Sequence, residues 1–183
     1  MLLAVDVGNT NVKLGVYDDR SLVASWRLTT RREQTADEYG VFTHTMLRSH
    51  GLEPRQITDV AISSTVPAVQ RTMEEMAGRY FELSPFVVDP GVNVALDMRV
   101  DYPREVGPDR IVKVVAAVEL YGPPLIIIDF GTATTFECVS PAVSASAAVA
   151  IPGAIAPPMN SPAGETHSKV VAVPKSMMIS GGP

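Results

Sequence analysis

A single cysteine, Cys138, among 183 residues leaves nothing for a disulfide framework and no thiol cluster for a metal site. Basic blocks are equally scarce. Net charge is −5 and the isoelectric point lies near 5.2. The densest basic stretch, Arg27 to Arg32, holds three arginines and runs straight into Glu33, which reads as a solvated strand end. Nucleic acid is therefore excluded as a general partner, since nothing gathers enough positive charge to neutralise phosphates. No apolar run is long enough to span a bilayer, so no membrane partner is expected. The opening Met1 to Val5 has no charged leader and meets Asp6 too early for a secretory signal, which sets the expectation of a cytoplasmic protein. Aromatics are few, at 6% against 46% hydrophobic residues overall. A Val/Ala/Ile-rich chain of this kind suits a sheet covered by helices, and its length suits one domain or two small lobes.

What the chain does have is a repeat. Asp6-Val7-Gly8-Asn9-Thr10-Asn11-Val12-Lys13 follows the apolar run Met1 to Val5, and Asp129-Phe130-Gly131-Thr132-Ala133-Thr134-Thr135 follows Leu125 to Ile128. Each reads as a strand, an Asp-x-Gly turn and a returning strand. Glycine lets the backbone bend and approach a ligand; Thr and Asn side chains, with turn amides, hold phosphate oxygens. Asp6 and Asp129 would then lie beside phosphates, a closeness that only a cation makes tolerable. Two such turns imply two related lobes facing each other across a phosphate-holding cleft.

In chain order, residues 2–7, 11–17 and 22–28 read as three strands of a meander. Thr35-Ala36-Asp37-Glu38 opens a helix with a near capping box, and Tyr39, Phe42, Met46 and Leu47 are expected to pack inward. A strand over 57–63, a helix over 67–80, a short strand over 86–88 and an irregular loop over 89–103 come next. A helix runs from Gly107-Pro108-Asp109-Arg110 to about Tyr121, and Pro123-Pro124 leads into the second hairpin. From Pro141 the text is Ser/Ala/Pro-rich, with prolines breaking most helical periods and one short strand expected over 170–173. The lobes are expected at 1–118 and 119–183, the second incomplete.

Asp109, in the first turn of its helix, either complements the helix dipole or serves as a general base that takes a proton from an acceptor hydroxyl. Arg110 either holds an anionic group or forms a surface ion pair. Lys13 either reaches phosphates as a point charge or snorkels from a strand face.

These stretches, with Trp26-Arg27-Leu28, Thr35 to Tyr39, Ser63-Ser64-Thr65-Val66-Pro67 and Glu105 to Arg110, occur in an order that resembles type III pantothenate kinase, within the actin-like ATPase superfamily. The resemblance covers residues 1 to about 140. It implies an α/β, actin-like ATPase (ribonuclease H-like) fold and ATP-dependent phosphorylation of pantothenate, the entry step to coenzyme A. By position it implies that Asp6, Val7, Gly8, Asn9, Thr10, Asn11, Val12 and Lys13 line the ATP phosphates, with Asp6 near Mg2+. Gly107, Pro108, Asp109 and Arg110 would contact pantothenate, Asp109 accepting the proton. Asp129 would ligate a monovalent cation (K+ or NH4+), and Thr132 would touch ATP. A cytoplasmic homodimer is implied as well.

Two departures stand out. Pro152-Gly153-Ala154-Ile155-Ala156-Pro157-Pro158 carries Pro158 where the family has a glycine, and the family's remaining C-terminal helices have no counterpart before Pro183. The alternatives are therefore a non-catalytic nucleotide-binding or regulatory relic of the same family, or a related phosphotransferase acting on another small hydroxylated acid.

Overall fold

The computed structural model describes residues 1–89, 102, 105–130 and 134–140, and the backbone of 169–174. Strand β1 (Leu2–Val7), β2 (Asn11–Asp18) and β3 (Ser21–Thr29) form the expected meander. Helix α1 (Ala36–Ser49), a 3-10 turn at Pro54–Gln56, β4 (Asp59–Ser64), α2 (Pro67–Phe81) and β5 (Phe86–Val87) complete the first lobe. Its sheet runs β3-β2-β1-β4-β5, with β4 parallel to β1 and β5 parallel to β4.

Strand β1 is central and alternates. Leu3, Val5 and Val7 are buried, in register with Val60, Ile62 and Ser64 of β4. They share one core with Tyr39 and Leu47 of α1 and Val69, Met73 and Met76 of α2. Period 2 then assigns Asp6 to the opposite face. There it lies in a row between its register partners Lys13 and Ser63.

The cap of α1 forms as its sequence suggests: Glu38 N donates to Thr35 Oγ1 at 3.2 Å, and Thr35 N donates to Glu38 Oε2 at 2.7 Å. The inward face differs from expectation at one position. Ala36, Tyr39, Gly40, Thr43 and Leu47 are buried, whereas Phe42 is 50% exposed. The buried residues follow the i, i+4 row through positions 39, 43 and 47, and Phe42 stands just beside it. Gly40 is there for packing: a β-carbon at that position would fall among the ring atoms of Tyr80 on α2.

Helix α3 (Pro108–Tyr121) leads through Pro123-Pro124 into β6 (Leu125–Phe130) and β7 (Thr134–Val139), the second hairpin. The strand expected over 170–173 is β8 (Lys169–Pro174). The second sheet runs β7-β6-β8, and Val114, Ala117 and Val118 of α3 pack on Leu125, Ile127 and Val139 as a second core. The boundary expected at 118/119 thus falls in the last turn of α3. The repeat is partial. Strand β8 is antiparallel to β6, on the flank where β4 runs parallel to β1.

The expected loop over 89–103 falls almost wholly outside the described residues, and the 152–158 stretch does so entirely. Among the described residues no helix is long and apolar enough to cross a membrane.

Candidate functional site

The first hairpin turn is built from the backbone. Gly8 N donates to Asn11 O at 2.9 Å, closing the bend. A β-carbon on Gly8 would lie 3.3 Å from that same oxygen, so glycine suits this close approach. Thr30, just past β3, ties the turn down from outside: its hydroxyl donates to Gly8 O at 2.7 Å and its amide to Thr10 O at 2.9 Å. Asn9 and Thr10 are exposed at the tip. Val7 and Val12 are fully buried, so they can offer a ligand only main-chain atoms. Asp6 and Lys13 form an ion pair at 3.2 Å, both side chains about half-exposed.

The start of α3 is the joint between the lobes. Thr65, at the end of β4, donates from its amide and hydroxyl to Val7 O at 2.9 and 3.2 Å. Its methyl group lies 3.8 Å from where a β-carbon on Gly107 would be. Gly107 caps α3 with no side-chain hydrogen bond, and Pro108 follows at the first helical position. That same β-carbon would lie only 2.5 Å from Asp109 Oδ1, so the Asp109 carboxylate rests over the bare Gly107 backbone.

From Asp109 the contacts continue into the second lobe. Lys113, one turn along α3, has its ammonium 3.4 Å from Asp109 Oδ2 and in hydrogen-bond contact with Asp129 Oδ2. Asp129 is 6% exposed. Among the described residues, its other oxygen, Oδ1, is buried without a hydrogen-bond partner, as is Oγ1 of Thr135, its register partner on β7. Burial alone would lower the Lys113 pKa. The hydrogen bond to Asp129 and the charges of Asp109 and Asp129 outweigh it and hold the ammonium above its ordinary value. Arg110 turns to Glu137 on β7, its Nε donating to Oε1 at 2.6 Å, which ties the start of α3 to the second hairpin a second time.

The structure thus brings Asp109 and Asp129 together through Lys113, and Asp6 together with Lys13. Thr132 and Gly131 lie outside the described residues. Three residues that the motifs did not point to help build the site: Thr30, Lys113 and Glu137. Lys113 had one sequence signal, its i+4 spacing from Asp109 on a helix. Among the described residues, no group of three or more His, Cys, Asp or Glu side chains could hold a metal ion by itself.

The sequence that builds this geometry is similar to that of a known group of proteins. The family model described as type III pantothenate kinase matches residues 2–169. A type III pantothenate kinase of Halalkalibacterium halodurans is 44% identical over 153 residues, covering 84% of this chain and 60% of that protein. One from Exiguobacterium sibiricum is 51% identical over 136 residues, covering 74% and 54%. A third, from Geotalea daltonii, is 47% identical over 140 residues, covering 76% and 55%. The chain therefore spans between half and two thirds of the length of these relatives. Among solved structures, the ROK hexokinase of Thermus thermophilus aligns with a TM-score of 0.46 and 14% identity, over 76% of this chain and 46% of the other.

Proposed function

The chain belongs to the type III pantothenate kinase family, and on that premise we propose that it transfers the γ-phosphoryl group of ATP to the hydroxyl of pantothenate. The observation that supports this reading is a chain of neighbours: Val7 bonded to Thr65, the Thr65 methyl beside Gly107, the Asp109 carboxylate over Gly107, and Lys113 between Asp109 and Asp129. It is consistent with a base that works between the two hairpins, where a transferred group would lie.

Phosphoryl transfer asks for positioning and charge compensation more than for covalent chemistry. In this reading the Gly8–Asn11 turn, clamped by Thr30, receives the triphosphate with its exposed Asn9 and Thr10. Lys13 is exposed enough to leave Asp6 for a phosphate oxygen. The acceptor oxygen forms a bond to the γ-phosphorus as the bond to the β,γ-bridging oxygen breaks. ADP departs, and the hydroxyl proton passes to the Asp109 carboxylate. Lys113 orients that carboxylate. Arg110, held at Nε by Glu137, keeps its terminal nitrogens for the carboxylate of pantothenate.

The donor sets bear on which cations this reading would use. Mg2+ is usually held by one or two carboxylates together with substrate phosphates, and the accessible Asp6 fits that use once Lys13 has turned from it to a phosphate. Its chemistry there would be to offset charge on the phosphates. Asp129 does not fit a monovalent cation in the same way, because its Oδ2 already has the Lys113 ammonium as counter-charge. The same reading carries the expected cytoplasmic homodimer and ATP contact at Thr132.

The test is product identification. Purified chain supplied with ATP, Mg2+ and a panel of small hydroxylated acids is expected to phosphorylate pantothenate alone, as read by mass spectrometry. ATP or pantothenate binding without any product would favour the non-catalytic reading. Preference for another acid would overturn the substrate assignment.

A further inference from the structure

We propose that the Lys113 ammonium is the resident cation of the Asp109–Asp129 pair and takes the place of the monovalent ion expected at Asp129. A carboxylate as buried as Asp129 needs a positive partner. Lys113 is the one described side chain seen to supply it. Arg110 is engaged by Glu137 and Lys13 by Asp6. The lysine carries the same single charge as potassium or ammonium, and its head group is chemically an ammonium ion on a tether. Its side chain is only 25% exposed, against 34% for that of Asp109 and 9% for that of Asp129, so the three groups form a largely enclosed set. Helix α3 fixes the spacing, since Asp109 and Lys113 stand one turn apart on one face. Among the described residues, the buried oxygens left without a partner at this position are Asp129 Oδ1 and the Thr135 hydroxyl. Two oxygens suit a bound water better than a bare ion that must replace its whole hydration shell.

A tethered cation is present at every turnover, whereas a diffusible one must be bound from solution. The inference therefore adds to the kinase reading a consequence for ion dependence. It rests on that reading only for its effect on rate; occupancy of the Asp129 site is tested without turnover.

The experiment is thermal unfolding of the full chain in choline chloride, potassium chloride and ammonium chloride at equal ionic strength. Wild type is expected to melt at the same temperature in all three. Lys113→Met is expected to melt lower in choline and to regain midpoint in potassium or ammonium, and the Lys113→Met/Asp129→Asn pair to show no such recovery. A merely structural lysine would not be replaced by an ion, so a Lys113→Met protein indifferent to the cation overturns the proposal. A wild-type midpoint that rises in potassium as much as the variant's does so too. If Lys113→Met does not fold, Lys113→Gln takes its place, and the wild-type comparison stands unaided. In the kinase assay wild type should need no potassium, while the variant should be stimulated about tenfold, the factor expected for one charge-assisted contact. Absence of product from both would count against the kinase reading and leave the melting result to decide this one.

Discussion

Replacing Gly107 with alanine separates the position of the Asp109 carboxylate from the integrity of the fold. The added β-carbon would stand 2.5 Å from Asp109 Oδ1, where ordinary contact begins near 3.4 Å. The nearest atom outside Asp109, the Thr65 methyl at 3.8 Å, is undisturbed. The backbone at φ −61°, ψ 142° accepts alanine without strain. The oxygen that must give way is the end of a short side chain, so the helix stays and the carboxylate retreats by most of an ångström. Loss of a glycine cap costs at most about 1 kcal/mol. A reacting group misplaced by about 1 Å costs on the order of 10²-fold in rate. Steady-state kinetics with ATP and pantothenate, beside urea unfolding of the same protein, should therefore show a large fall in kcat with a near-native unfolding midpoint. An unchanged kcat would mean that the Asp109 carboxylate does not act from where it lies. A fall in kcat matched by collapse of the midpoint would mean that Gly107 serves only the fold.

Gly40→Ala should act the other way, on stability alone. Its β-carbon meets the Tyr80 ring near the attachment carbon as well as the edge, so α1 and α2 must separate, at about 1–3 kcal/mol in urea unfolding. Glu137→Gln removes the charge that holds Arg110 Nε. The KM for pantothenate should rise about tenfold with kcat little altered, and a change confined to the KM for ATP would move Arg110 to the nucleotide. Glu38 offers a pH test. Its hydrogen bond from the Thr35 amide, then that from Thr35 to its side chain, hold the carboxyl below its ordinary value of 4.5. Its contribution is thus complete above that value and is lost as pH falls through the lowered folded one. Glu38→Gln should flatten the acid limb of the stability profile below about pH 4.5 and leave the neutral region parallel.

Local signals were the legible ones. The Gly8 bend, the Thr35–Glu38 cap, the Pro108 helix start and the alternation of β1 are set by neighbours in sequence, and all of them form. Helix phase was harder. Phe42 reads inward by hydrophobicity, yet the row that meets α2 is chosen by the small Gly40 and by Tyr80, which lies on another element. The residues that complete the site were hidden for the same reason. Thr30 reaches Gly8 only because β3 pairs with β2. Glu137 reaches Arg110 only because α3 lies across the second hairpin. Lys113 looks like any surface lysine until Asp129 is seen beside it. Sequence also leaves open the partner of β8, whose short apolar run pairs as well antiparallel as parallel; the backbone decides for the former.

In the proposed reaction Asp109, at the start of α3, takes the proton from the alcohol that is phosphorylated. The most direct measurement is the rate of phosphopantothenate formation by wild type and by Asp109→Ala, with saturating substrates and with ATP binding verified for both. A fall of about 10²–10⁴-fold is the predicted result; equal rates in the two proteins would contradict it.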